Sequence, residues 1–170
     1  MQIVTVGRGG LEISSDPDVV LITQSVCPSL AIAAYEPAVR VGGVLQFQLP
    51  DSSADPARAR RQPGLFADTA IPRLIEEVCR RGAQKSRLQT RLSGGTPANA
   101  APADVTAAKR NYLAARKTLW KQGVVISGEA FGQAASTTAG LHIRTGAPWL
   151  GSDEPSQRDD AVPAAIPLRI

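Results

Sequence analysis

VLITQSVCPSLAIAAYEPAVRVGGVLQFQLP, residues 20–50, holds three short apolar runs separated by small and polar residues. Their length and composition read as strands at residues 19–23, 30–35 and 42–49. Ser25, Cys27 and Ser29 crowd the gap between the first two runs, where a nucleophile could sit.

Working outward, similar short runs at residues 2–6, 88–92, 124–127 and 140–144 also read as strands. Two segments read as helices. From Thr69 onward Ile71, Leu74, Ile75 and Val78 recur at helical spacing, Asp68 is placed to cap the start, Pro72 is tolerated in the first turn, and Gly82 ends the run after Arg80 and Arg81. Cys79 then falls late in a helix, as a packing thiol. The second helix, residues 106–122, is rich in Ala, Lys and Arg; it is expected to bury Leu113, Leu119 and Trp120 and to stop at Gly123. Strand runs with two interposed helices predict an α/β or α+β layered domain. Residues 51–64 and 94–105 are rich in Pro, Gly, Ala and Ser and read as loops. The tail, residues 151–170, carries three prolines and no usable periodicity, and is expected to lack fixed structure.

The chain has 170 residues and 43% hydrophobic content, enough for one domain with its own core. No apolar run is long enough to span a bilayer, and MQIVTVGRGG lacks the basic-then-apolar pattern of a secretion signal, so a cytoplasmic protein without membrane insertion is expected. Two cysteines without a CxxC and a single histidine, His142, signal neither a zinc site nor a disulfide framework; no metal and no cofactor are expected. Nineteen basic residues against fifteen acidic ones leave a net charge of +4, with the excess grouped at Arg58, Arg60 and Arg61, at Arg80 to Arg91, and at Lys109 to Lys121. Such groups suit nucleic acid or an acidic protein, but the modest net charge and scarce aromatics favour solvated helix faces over a nucleic-acid site.

The order of several motifs resembles the chemoreceptor glutamine deamidase family, CheD, over roughly residues 1–150. They are Thr23 ahead of VCPSLAIAAYEP, then VGGVLQFQLPDS (41–52), FADTAIPRLIEEVCRRGA (66–83), RLSGG (91–95), KRN (109–111) and the closing RTG (144–146). The resemblance implies a mixed, β-sandwich-like core with helices packed outside. It also implies hydrolysis of receptor glutamine side chains to glutamate with release of ammonia. The implied partners are chemoreceptor cytoplasmic helices and a CheC-type chemotaxis phosphatase. The family chemistry is that of a thiolate attacking a carboxamide carbon while a histidine relays the proton.

Family members carry the cysteine in a Gly-Ser-Cys turn and the histidine in a Gly-Gly-x-x-His strand. Laid over this chain without a gap, with Pro37 and Leu49-Pro50 as anchors, the family cysteine falls on Ser29 and the family histidine on Gln46. The seventeen-residue separation of the pair is kept and both reactive groups are changed. Thr23 matches the threonine the family carries beside the site, and Pro28 removes a backbone N–H from the turn. A serine hydroxyl needs an adjacent base, and the Gln46 carboxamide cannot be one. Cys27, two residues before Ser29, is the alternative nucleophile. His142 falls in a strand that the family uses for structure. GEAFGQ (128–133) keeps Glu129 and Gly132 of a family motif and lacks its Asp and second Gly. Three functions stay open at this point: a deamidase-like protein of weak or lost activity serving as a binding module, an amidohydrolase using Cys27 or Ser29, and a basic nucleic-acid-binding domain.

Overall fold

The computed structural model describes residues 1–23, 26, 28–97, 99–132 and 138–151. In chain order the elements are β1 (Gln2–Val6), β2 (Leu11–Ser14), β3 (Val19–Thr23), β4 (Leu30–Glu36), β5 (Val41–Phe47), α1 (Pro56–Arg61), α2 (Ala67–Arg80), β6 (Gln89–Gly94), α3 (Pro102–Lys121), β7 (Ile126–Phe131), β8 (Thr138–His142) and β9 (Pro148–Gly151). The strands form two mixed sheets, ordered β1-β3-β8-β9 and β2-β5-β4-β6-β7. β1 with β3 and β6 with β7 run parallel; the other neighbours are antiparallel.

Side-chain alternation along β4 and β5 builds three layers. Leu30, Ile32 and Ala34 of β4, with Val41, Leu45 and Phe47 of β5, pack against Ile71, Leu74, Ile75 and Val78 of α2 and Leu119 of α3. The opposite face presents Tyr35 and Val44 to Val6, Leu21 and Leu141 of the four-stranded sheet. Both faces of β4 and β5 are therefore covered, which is why their apolar runs are nearly unbroken. Each Leu or Ile so buried contributes about 1.5–3 kcal/mol relative to an exposed one. The result is an α+β layered domain, as the strand and helix runs predicted, and a mixed sandwich with helices outside, as the family resemblance implied.

Several local expectations are corrected. Phe66, not Asp68, occupies the cap position of α2, since Ala67 N–H donates to Leu49 C=O at 2.8 Å and draws the chain into the helix earlier. The Asp68 carboxylate instead accepts from Ser52 N–H at 3.0 Å and from the Ser52 hydroxyl at 2.6 Å, tying the preceding loop to the first turn. α3 begins at Pro102, inside the segment read as a loop, because Pro is well placed at a helix start. It buries Ala108, Asn111, Ala115 and Leu119, whereas Leu113 is 64% and Trp120 79% exposed. The small alanines let this side of the helix approach its neighbours, and the larger residues are left facing solvent. The other loop, residues 51–64, contains α1, whose start is capped by Asp55 accepting from Arg58 N–H at 3.0 Å. β2 and β9 were not read from the sequence; each is a four-residue strand at a sheet edge. Residues 152–170 lie outside the described residues, and with them all of the tail but Gly151, which closes β9.

Candidate functional site

Ser29 stands immediately before β4, and Gln46 is the penultimate residue of β5. The antiparallel register sets Ala31 opposite Gln46 and Leu30 opposite Phe47. Ser29 shares a strand face with Ala31, two residues on, so it is the diagonal neighbour of Gln46 on the face between the sheets. Gln46 Nε2 donates to Ser29 Oγ at 3.0 Å, and both residues are wholly buried.

Two backbone devices hold this pair. The turn after β1 clamps Gln46 from the side: Gly9 N–H donates to its carbonyl at 2.7 Å, and Gln46 N–H donates to Gly10 C=O at 3.1 Å. Gly94, in the RLSGG motif, brings the end of β6 against Ser29. At its φ of +150° a Cβ would sit 2.3 Å from Leu30 Cδ2 and 3.0 Å from Ser29 C=O. Its own carbonyl accepts from Gly132 N–H at 3.1 Å, which draws the end of β7 to the same place. The reason for glycine at 94 is thus contact with the segment carrying Ser29.

Thr23 closes β3 in the other sheet. Its hydroxyl donates to Ala139 C=O at 3.1 Å and accepts from Ala139 N–H at 2.9 Å. Ala139 packs with Val26 and Ala31, and Ala31 is the register partner of Gln46. The structure therefore brings Thr23, Ser29 and Gln46 to one end of the sandwich, with Thr23 linked to the pair through alanines. Nothing in the sequence marked Ala139 or the Gly9-Gly10 turn as part of this assembly, because both act through backbone atoms.

Cys27 lies outside the described residues. Cys79 is half-buried on α2 against the helix-side core, as read from the sequence. His142 lies in β8, and alternation turns it away from the face that carries Ala139 and Leu141 into the space between the sheets. Glu129 is also engaged elsewhere: its carboxylate accepts from Tyr112 O–H at 2.9 Å and lies 3.3 Å from the Arg116 guanidinium. An open cleft of about 330 Å³, lined by Ser52, Ser53, Pro56, Ala59, Arg60 and Thr69, includes none of Thr23, Ser29 and Gln46.

The chemistry available to the pair is limited by its functional groups. Ser29 Oγ receives a hydrogen bond from an amide, while activation of a hydroxyl requires a base that accepts the hydroxyl proton. A carboxamide has no such capacity near neutral pH, whichever way its oxygen and nitrogen are assigned.

Residues 48–152 match the family model described as CheD chemotactic sensory transduction. That match begins just beyond Gln46, so the two positions of the pair fall outside it. Relatives extend the likeness across them. The chain is 40% identical over 164 residues to the probable chemoreceptor glutamine deamidase CheD of Solibacter usitatus (strain Ellin6076), covering 96% of each chain. It is 36% identical over 149 residues to the protein named CheD 1 of Syntrophus aciditrophicus (strain SB), covering 88% of this chain and 93% of that one. With the CheD 2 protein of Anaeromyxobacter dehalogenans (strain 2CP-C) it shares 37% identity over 146 residues, 86% and 92% of the two chains. The chain belongs to the CheD family. A solved Neisseria meningitidis protein, NMB0706, superposes with a TM-score of 0.46 at 13% identity; the match spans 77% of this chain and 63% of that one, too slight a likeness to bear on the fold. Among the described residues, no helix is long and apolar enough to cross a membrane.

Proposed function

We propose that this chain works in chemotaxis, in the cytoplasm, as a CheD-like module that engages the cytoplasmic helices of chemoreceptors and a CheC-type phosphatase, with its deamidase step lost or weak. The observation that carries this reading is the Ser29–Gln46 hydrogen bond. On the register of the resemblance, these are the places of the family's nucleophile and its base. Here a neutral hydroxyl accepts a hydrogen bond from a neutral carboxamide at 3.0 Å in a fully buried position. Such a pair has neither an ionisable nucleophile nor a proton acceptor, and losing both members of a catalytic unit leaves only what binding and oxyanion stabilisation provide. Pro28 supports the same reading, since it supplies no backbone N–H to hold an anionic intermediate. The surrounding devices, Thr23 bound to Ala139 and Gly94 against Ser29, are of a kind that keeps a scaffold in shape without chemistry at its centre.

The test is restoration. Purified protein is incubated with a chemoreceptor cytoplasmic fragment, and glutamine-to-glutamate conversion is followed by mass spectrometry and ammonia release. The unmodified chain should stay at background. Ser29→Cys with Gln46→His should regain turnover, because an imidazole beside a thiol ionises it and returns the proton to the leaving amine; adding Pro28→Ser should raise it further. The recovered rate will be modest, since a misplacement of about 1 Å costs on the order of a hundredfold. Robust turnover by the unmodified chain, abolished by Cys27→Ala or Ser29→Ala, would replace this reading with that of a working amidohydrolase.

A further inference from the structure

The outer side of α3 carries a feature that the buried pair does not explain. Leu113 is 64% and Trp120 79% exposed, and Val125, just beyond the helix, is 77% exposed. Single exposed apolar residues are ordinary on protein surfaces. Leu113 and Trp120 differ in being seven residues apart, so they stand on one stripe two turns, about 10 Å, from each other. Cations border the stripe: Lys109 and Arg110 near its start, Lys117 and Lys121 near its end, all exposed. From residue 105 to residue 121 the helix carries five basic residues and no acidic one. The fifth, Arg116, is engaged by Glu129 at 3.3 Å and donates to Tyr112 Oη at 2.8 Å.

We propose that this face of α3 is a docking surface for an acidic amphipathic helix of a partner protein, one that sets apolar side chains on Leu113 and Trp120 and carboxylates toward Lys109, Arg110, Lys117 and Lys121. The charge pattern selects this occupant. A second copy would bring like charges together, the chain having a net charge of +4. Nucleic acid would use the cations and Trp120 but gains nothing from two exposed aliphatic residues, since its contacts are to phosphates and base faces. An anionic membrane would meet Glu129, paired with Arg116, and Asp51, close enough to Lys117 and Lys121 to feel their charge. The carboxyl of Asp51 is held below its usual range chiefly by hydrogen bonds from Ser53, with a smaller pull from Lys117 and Lys121. A helix, by contrast, covers a narrow stripe, and its apolar residues recur at the two-turn spacing seen here. This surface lies apart from Ser29 and Gln46, and the inference holds whether or not the receptor is the partner.

The experiment uses the full chain and a labelled synthetic helical peptide of about 21 residues, six turns, with leucines at seven-residue spacing flanked by glutamates. Fluorescence anisotropy should show saturable binding that weakens with salt. Trp120→Ala should weaken it at least about thirtyfold, as an interface anchor does. The Lys117→Glu/Lys121→Glu double variant should weaken it further, and a peptide with lysines in place of the glutamates should not bind. Both substituted side-chain sets face solvent, so circular dichroism and thermal midpoints should match the unmodified chain. The proposal is overturned by absence of saturable peptide binding below about 1 mM, or by binding that Trp120→Ala leaves unchanged. Trp120-dependent binding to phosphatidylserine vesicles or to a single-stranded oligonucleotide in place of the peptide overturns it equally. A chemoreceptor fragment run in parallel reports on the receptor reading alone.

Discussion

Removing the Ser29–Gln46 hydrogen bond one partner at a time should expose how the two residues depend on each other. The bond is a neutral pair at 3.0 Å with no solvent access. Ser29→Ala deletes the acceptor and leaves a buried amide N–H without it, which should cost about 1–3 kcal/mol. Gln46→Met keeps most of the side-chain volume but leaves the serine hydroxyl without its donor, at a similar cost plus whatever else the carboxamide holds. Ser29→Ala/Gln46→Met replaces both partners with apolar groups, a change that can be nearly neutral where the shape is kept. The double variant should therefore be more stable than the sum of the singles predicts, by about 1 kcal/mol or more. Any other partner of Gln46 is lost equally in the single and double variants and drops out of the cycle. Urea unfolding followed by circular dichroism measures it. With an m-value of about 2 kcal/mol per molar, that coupling corresponds to about 0.5 M in the midpoint. Additivity within about 0.3 kcal/mol would show that the two side chains do not interact, and the reading of this place as a hydrogen-bonded pair would fall.

Thr23→Val should destabilise the fold by about 1–3 kcal/mol in the same assay, because it strips a buried backbone N–H and a buried carbonyl of Ala139 of their shared hydroxyl. Gly64→Ala should cost at least about 3 kcal/mol, at or beyond the top of the range for overpacking, since a Cβ there would stand 2.0 Å from Gly9 C=O; an unchanged midpoint would contradict this packing of the turn that clamps Gln46. Glu36 lies buried 2.7 Å from Arg87, whose hydrogen bond does most to hold its carboxyl at about 2 against an ordinary 4.5. A lowered folded-state value means stability present above the unfolded value and lost as pH falls, so thermal midpoints should drop between about pH 5 and pH 2 and drop less in Glu36→Gln. Leu119→Ala should lose about 2–5 kcal/mol, whereas Leu113→Ala should change stability by no more than about 0.5 kcal/mol, a contrast that thermal or urea unfolding resolves directly.

The contrast within α3 marks the boundary between what is local and what is not. The buried face of α2 was legible because Ile71, Leu74, Ile75 and Val78 are large, apolar and periodic, and a helix that must bury a stripe can bury only that one. Most strands were legible for the same reason, since short apolar runs between turn residues have few other uses. α3 offered no such stripe. Its buried residues are two alanines, an asparagine and a leucine, and which side faces inward was settled by what could approach α2 and the sheet closely, with Asn111 Nδ2 donating to Gln48 C=O at 2.8 Å. The edge strand β2 owes its form to a partner far along the chain, Leu11 to Leu45, whereas β9 pairs with the strand just before it, Gly140 to Trp149, in a segment with too little apolar periodicity to mark it. Asp68 has the composition of a cap, and only the loop folded against it made it a ligand for Ser52. At the candidate site, the sequence by itself determined the chemical identities, a hydroxyl at 29 and a carboxamide at 46, and hence that the pair contains no base. That those groups meet at 3.0 Å, out of reach of water and clamped by Gly9 and Gly10, was decided by the β4–β5 register and the layering of two sheets, because hydrogen bonds between strands form only where distant segments are brought into line.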